Sequence, residues 1–285
     1  MAARDIHGPN PPWEGGFSVV GKPQRKPDGL SKATGEAVYT DDIQLPGMLH
    51  AKTLRSPHPH ARIKSIDVSK ALAMPGVHAA ITGRDLPARY GVIPWTEDET
   101  ALAVDKVRFV GDPVAAVAAV DEDTATRALD AIVVEYEALH AFLTPEDSLA
   151  NAEPKIHEDK KNNVSKHVLL DFGDVDGAMA GADVVLEGEF GFHSTTHAAI
   201  EPHCAVARLS PDGVLTVWSA TQITHYVHRA LAKVLGLPEQ QIRVIQPCLG
   251  GAFGGKSDPF SLEFCAAKLA MVTGRPVKML YTREE

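Results

Sequence analysis

From residue 48 onward, apolar and polar positions follow two different periods along the chain, and the switches between them outline an α/β (α+β) fold. LHAKTLRS and ARIKSIDV carry the two-residue period of strands, SKALAMPG reads as a short helix ended by Pro and Gly, and VHAAIT is again a strand. DPVAAVAAV is apolar enough for a buried strand. DEDTATRALDAI opens on acidic residues as a helix does, and IVVEYEAL returns to a strand. Over residues 139–167 the periodicity disappears into TPEDSL, NAEP and EDKKNN, which marks a linker. The chain therefore divides into a tail (1–19), an α/β domain (20–138), the linker (139–167) and a second domain (168–285).

In the second domain ADVVLEGEF, EPHCAVARL and GVLTVWSAT read as strands. THYVHRALAKVLG is an amphipathic helix with Val227, Leu231, Val234 and Leu235 on one stripe, Gly236 just past its end and Pro238 beyond. QIRVIQ is a strand, a glycine loop follows, and DPFSLEFCAAKLAMVTG is a helix with Pro259 in its first turn and Gly274 at its close. PVKMLY, the last strand signal, comes four residues before the final residue, so the sheet it joins is expected to be unfinished.

Composition narrows the function. With 285 residues, 44% hydrophobic and 23% charged, there is enough apolar material for two cores. A net charge of -9 argues against a nucleic-acid or anionic-membrane surface, since the basic clusters at residues 22–26 and 160–161 are short. MAARDIHGPNPPWEGG lacks the apolar core of a signal peptide, and no window has the apolar run of a membrane span, so a cytoplasmic location is expected. Cys204, Cys248 and Cys265 lie far apart and supply neither a disulfide framework nor the four thiolates of an iron–sulfur cluster. Electrons from any redox reaction must leave through another polypeptide.

The most informative local feature is LGGAFGGKS, residues 249–257, between a strand and a helix. From Gly250 to Lys256 and Ser257 it fits G-x-x-x-x-G-K-[ST], the phosphate-cradling P-loop, which predicts a nucleotide-binding protein of another class. Against that, a P-loop hydrolase needs a further strand ending in a metal-binding Asp, and only one helix and one strand follow. A ligand-free glycine turn is the blander alternative, but four glycines in six residues cost conformational entropy. Their use is to let backbone amides approach a bulky anionic ligand.

The loop resembles the GG-x-FGGK segment of the xanthine dehydrogenase and aldehyde oxidase family. So does its spacing: WSATQ ends at Gln222, which precedes Phe253 by 31 positions with a helix and a strand between. KPDGLSKATGEAVYTDDIQLPGMLHAKTLRSPHPHARIKSID and KVRFVGDPVAAVAAVDEDTATRAL are similar to that family's hammerhead domain. EPHCAVA and GRPVKMLYTREE are similar to its first molybdenum-cofactor domain, here truncated, so the likeness runs from about residue 20 to residue 285. The resemblance implies a molybdenum–pterin cofactor, as molybdopterin or its cytosine dinucleotide, lined by Gln222, Gly250, Gly251, Ala252, Phe253, Gly254 and Gly255. In the family the matching Gln hydrogen-bonds an oxygen ligand of the molybdenum, and no protein side chain coordinates the metal directly. Partner subunits carrying FAD and iron–sulfur clusters are implied as well. Lys256→Ala should then abolish nucleotide binding if the P-loop reading holds and barely alter a pterin site.

Two departures bear on chemistry. Purine-oxidising members carry a Glu four residues after the loop Phe. This chain has Ser257, which cannot supply that charge-assisted contact, so another substrate, such as an aromatic one, fits the space better. The family's catalytic Glu, in a G-x-G-E context, lies far downstream of the matched region. No catalytic base is therefore expected within this chain, which would be inactive alone and need a C-terminal half of the molybdenum subunit. GVIPWTEDE, FGDVDGAMAGAD and GGKSDPFSLEFCAAKLA resemble the large subunit of 4-hydroxybenzoyl-CoA reductase, which implies reductive dehydroxylation in aromatic degradation; aldehyde- or N-heterocycle-oxidising branches are the alternative.

HSTTHAAIEPHC invites a zinc reading, with His193 and His197 four apart as on one helix face. The β-like EPHCAVA instead puts Glu201 and His203 on one face and Cys204 on the other, and His203 is a candidate for the substrate pocket. His58 and His60 between prolines read as solvent-facing turn residues. Arg55 and Arg62 read as ties to a carboxylate of the other domain, and Asp67, Asp85 and Asp112 as caps and turns.

Overall fold

The computed structural model describes residues 19, 20, 22–92 and 97–285, so most of the tail and the centre of GVIPWTEDE lie outside the described residues. The chain forms two compact units, Met1–Val38 and Tyr39–Glu285. In the first, helix α1 (Gly29–Thr34) carries a Lys32–Asp28 ion pair and is closed by Gly35 at φ 79°.

The second unit contains, in order, β1 (Leu49–Arg55), β2 (Ala61–Asp67), α2 (Ser69–Leu72), β3 (Val77–Thr82), β4 (Arg89–Tyr90), β5 (Glu99–Thr100), β6 (Lys106–Val107), β7 (Pro113–Ala119), α3 (Glu122–Asp130) and β8 (Val133–Ala138). It continues with α4 (Pro145–Ala150), α5 (Val175–Ala180), β9 (Cys204–Leu209), β10 (Leu215–Ser219), α6 (Thr224–Leu235), β11 (Ile242–Ile245), α7 (Ser261–Thr273) and β12 (Val277–Leu280). Local chemistry sets the boundaries. Asp121 caps α3 by accepting the Thr124 N–H at 2.7 Å, and Gly236 and Gly274 close α6 and α7 in the left-handed region, at φ 65° and 64°. Pro259 is not in the first turn of α7. That helix starts two residues later, where the Glu263 carboxylate accepts the Phe260 N–H at 2.9 Å.

One sheet of order β11-β10-β9-β12-β1-β7-β3 dominates, so strands from both sides of residues 139–167 share it. The closing strand is not at an edge of this sheet. β12 lies inside the sheet, parallel to β1 and antiparallel to β9. It belongs there because Val277 and Met279 are buried. All seven residues of β7 are buried, which explains its unbroken apolar run. A three-stranded sheet, β6-β2-β8, and the β4-β5 pair complete the strands. α7 packs on β9, β12 and β3, and Leu262, Phe264, Cys265, Ala266, Leu269 and Ala270 are fully enclosed. A helix apolar on all sides is the expected occupant of such a position. α6 buries Val227, Leu231 and Val234 of the predicted stripe.

One predicted strand is missing. ADVVLEGEF is exposed and forms neither strand nor helix, and residues 183–198 make no backbone–backbone hydrogen bond among the described residues. A strand exists only through its ladder partners, and no other described segment pairs with this one. Among the described residues, no helix is long and apolar enough to cross a membrane.

Candidate functional site

The loop after β11 is held by backbone and side-chain bonds at both ends. Glu201 is the anchor at its start: its N–H donates to the Gly250 carbonyl at 3.2 Å, and its Oε2 accepts the Gly250 N–H at 2.9 Å. The same oxygen accepts from Lys256 Nζ at 2.7 Å, where the lysine side chain is only 1% exposed. At the far end, the Lys256 carbonyl accepts from the Gln222 N–H at 2.8 Å and from Thr221 Oγ1 at 3.1 Å. Ser257 Oγ donates to Gln222 Oε1 at 3.3 Å, leaving the glutamine NH₂ uncommitted. His203 donates from Nε2 to the Gly255 carbonyl at 3.0 Å. Burial holds this imidazole below its usual range and therefore neutral, against the smaller opposing effect of that bond.

These bonds leave an unspent set. The N–H groups of Gly251, Ala252, Phe253 and Gly254 donate to no described group. Gly251 at φ 99°, Phe253 at 54° and Gly254 at 89° lie in the left-handed region. For a phenylalanine that conformation is strained, and its side chain is nonetheless 77% exposed. Runs of free amides in mixed-handed turns form concavities that receive anions. Two glycines are required for approach: a Cβ at Gly250 would meet Glu201 Cβ at 2.6 Å, and one at Gly255 would meet His197 Cγ at 2.7 Å.

Beside the loop lies a cavity of about 110 Å³, lined among others by His197, Glu201, His203, Lys256 and Arg283. Glu201 Oε1 is buried without a hydrogen-bond partner. A larger cavity of about 490 Å³ is also lined by His203, with Arg55, Asp112, His157, Phe260 and Glu285. Burial pushes the Asp112 carboxyl up to about 6, against the Arg108 N–H and guanidinium.

The structure thus brings Gln222, Ser257 and the glycine loop together and joins His203 to them through Gly255. Phe253 and Gln222 face solvent rather than these cavities. The P-loop reading fails on geometry. Lys256 Nζ, which would have to reach a phosphate, is buried against Glu201, and the helix begins four residues after Ser257. The same pair shows that Lys256→Ala would remove a buried contact of the loop, a role that the sequence reading did not include. Sequence reasoning missed the pair because Glu201 and Lys256 meet only in the fold; an apparent phosphate lysine with no downstream metal-binding Asp was the one available signal.

The remaining candidates resolve individually. His193 and His197 lie outside any helix or strand, and among the described residues no group of three or more His, Cys, Asp or Glu is arranged to hold a metal. His60 is buried rather than solvent-facing, its Nδ1 2.7 Å from the His140 carbonyl, because the turn folds against the start of the linker. Arg55 does tie the two halves, from Nε to Glu285 at 3.0 Å, with its guanidinium over the Tyr281 ring. Arg62 is exposed. Asp67, Asp85 and Asp112 accept the N–H groups of Ser69, Thr82 and Arg108 and serve as turn caps.

Residues 34–140 match the family model described as the aldehyde oxidase and xanthine dehydrogenase a/b hammerhead domain, and residues 156–285 match the molybdopterin cofactor-binding domain. The chain belongs to the xanthine dehydrogenase and aldehyde oxidase family. It is 42% identical over 271 residues to the nicotinate dehydrogenase large molybdopterin subunit of Eubacterium barkeri, covering 94% of this chain and 63% of that one. It is 39% identical to a probable xanthine dehydrogenase subunit of Bacillus subtilis, covering 94% and 36%. Among solved structures, quinoline 2-oxidoreductase from Pseudomonas putida 86 superposes with a TM-score of 0.82 at 32% identity, covering 90% of this chain and 34% of that one. The chain therefore spans between about a third and two thirds of the length of these relatives. The family's fold, hammerhead domain followed by the start of a molybdopterin-binding domain, is the fold described above.

Proposed function

We propose that this chain forms the wall of a molybdenum–pterin site in a multi-subunit oxidoreductase. The observation that carries this reading is the run of four unspent amides at residues 251–254, in the loop whose far end is bonded to Gln222. The donor set suits an anionic pterin: free N–H groups and a glutamine NH₂. When bound, the group would supply two-electron redox chemistry. The chain's own residues bind and orient it, with Gly251, Ala252, Phe253 and Gly254 donating through the backbone and Gln222 through its side chain, while Gly250 and Gly255 let the loop pack closely on Glu201 and His197. His203, neutral and spent on Gly255, positions the loop rather than moving a proton, and Ser257 leaves room for substrate while aligning Gln222.

For substrate, the relatives named for nicotinate and quinoline favour an N-heterocyclic aromatic compound. The second reading is reductive removal of a phenolic hydroxyl from 4-hydroxybenzoyl-CoA, supported by the three quoted stretches and by the neutral, small Ser257. Electrons would leave through partner subunits carrying iron–sulfur clusters and FAD, since the three cysteines here are free and two of them buried. The test is the chain isolated with its partner polypeptides. About one molybdenum and one pterin per chain are expected, measured by elemental analysis and by fluorescence of the oxidised pterin; the nucleotide, cytosine or none, is read after hydrolysis. Nicotinate, quinoline, xanthine and 4-hydroxybenzoyl-CoA then form the substrate panel. A complex without pterin refutes the reading.

We further infer that residues 183–192 are a strand completed by the remainder of a molybdenum subunit. Leu186, Phe190 and Phe192 are 89%, 95% and 95% exposed. Free ladder groups with apolar side chains template a neighbouring strand. Hydrogen exchange of this segment should be fast in the chain alone and at least about a hundredfold slower in the complex, a modest protection for a paired strand. Equal exchange in both would exclude the pairing.

A further inference from the structure

We propose that Glu201 is the positioning residue of this site: by accepting the Gly250 N–H and the Lys256 ammonium on one oxygen, it sets the direction in which the four free amides point. The inference rests on the reading of the loop as a pterin wall and deepens it. Three observations carry it. Oε2 receives both donors, at 2.9 and 2.7 Å, so the start of the loop and its sixth following residue are fixed to one atom. The Glu201 backbone N–H binds the Gly250 carbonyl as well, which leaves Gly250 no freedom to rotate about its own peptide. Gly250 has no Cβ because that atom would sit 2.6 Å from Glu201 Cβ, so the glycine is required by the glutamate rather than by a turn. Lys256 is the counter-ion that lets a carboxylate occupy so dry a place. The G-K-S resemblance to a phosphate loop has this origin: the lysine serves the loop from behind, and the anion-facing work is left to the backbone. His203 performs the matching task at Gly255, from the same short segment of chain. The cradle is therefore oriented by residues 201–203, which touch neither metal nor substrate in this assignment. Residues at one remove from a metal site typically cost about ten- to a hundredfold in its affinity when removed.

The experiment compares two charge-neutral double variants in the chain isolated with its partner subunits. Glu201→Gln with Lys256→Met keeps an acceptor for the Gly250 N–H, whereas Glu201→Ala with Lys256→Met does not. Pterin content is expected within about threefold of the parent for the Gln pair and at least about tenfold lower for the Ala pair. Hydrogen exchange of residues 248–257, measured on the chain with and without pterin, should follow the same order while exchange elsewhere stays unchanged. Equal pterin content and equal exchange in the two folded variants overturn the proposal. Should neither fold, Gly250→Ala carries the test: pterin lost from a folded variant supports the proposal, and full retention overturns it. If the parent itself holds no pterin, the function reading fails, and the exchange comparison alone still decides whether Glu201 sets the loop.

Discussion

Between pH 4.5 and 8 the protein should lose roughly 3 kcal/mol of stability that a Glu263→Gln variant does not lose. Glu263 is enclosed at the start of α7, and burial pushes its carboxyl from 4.5 up to about 7, outweighing the Ser219 hydroxyl, 2.7 Å away, and the Phe260 N–H, which favour the ionised form. Because the folded value is raised, the fold prefers the protonated acid. That preference is fully present below 4.5 and disappears as pH rises through 7. Glutamine cannot ionise; its one carbonyl oxygen accepts the Phe260 N–H, and the Ser219 hydroxyl can turn to accept from the amide NH₂. Urea unfolding at a series of pH values gives the result as the difference between two curves, which cancels the other titrating groups. Asp112 tilts both proteins the same way, and His60, His157 and His203, whose imidazoles burial holds low, tilt both the other way. Parallel curves would mean that Glu263 is ionised in the fold.

Lys256→Ala should destabilise the protein by about 3–5 kcal/mol, the usual cost of breaking a buried ion pair from one side. The variant leaves the Glu201 carboxylate, 11% exposed, with a single backbone donor and an oxygen that already lacks one. Adding Glu201→Gln should return much of the loss, because two neutral groups need no mutual compensation, and replacing a buried pair is often near neutral. A double-mutant cycle in urea checks both statements. Single and double variants of equal stability would show that the pair is worth little and that the loop is held by its backbone bonds.

Most strands and helices were legible because each hides one face, and the hiding is written as period two or period 3.6. The end of α6, for example, could be placed from Gly236 alone. What was not legible has a common cause, dependence on distant chain. ADVVLEGEF has the pattern of a strand and no ladder partner among the described residues, so propensity without pairing leaves it irregular and exposed. His60 looked solvent-facing because its burial comes from residue 140. For the candidate site, Gln222 and the glycine loop could be paired because their spacing matches that of the family the chain resembles. The Glu201–Lys256 bond, 55 residues across, has no such signature, and the lysine carried a false one.

The interior place of β12 bears on how the molecule is made. Leu49 pairs with Val277, so the sheet cannot close until nearly the whole stretch between them has left the ribosome. Loop closure over such a separation is slow, and until it happens β1 and β9 each present a raw border to solvent. In this period the nascent chain is exposed to mispairing and is a natural client for chaperones that shield strand borders. The pairs β1–β7, β7–β3 and β2–β8 need only residues 49–138, whereas the joining of the two groups of strands into one sheet waits for β12.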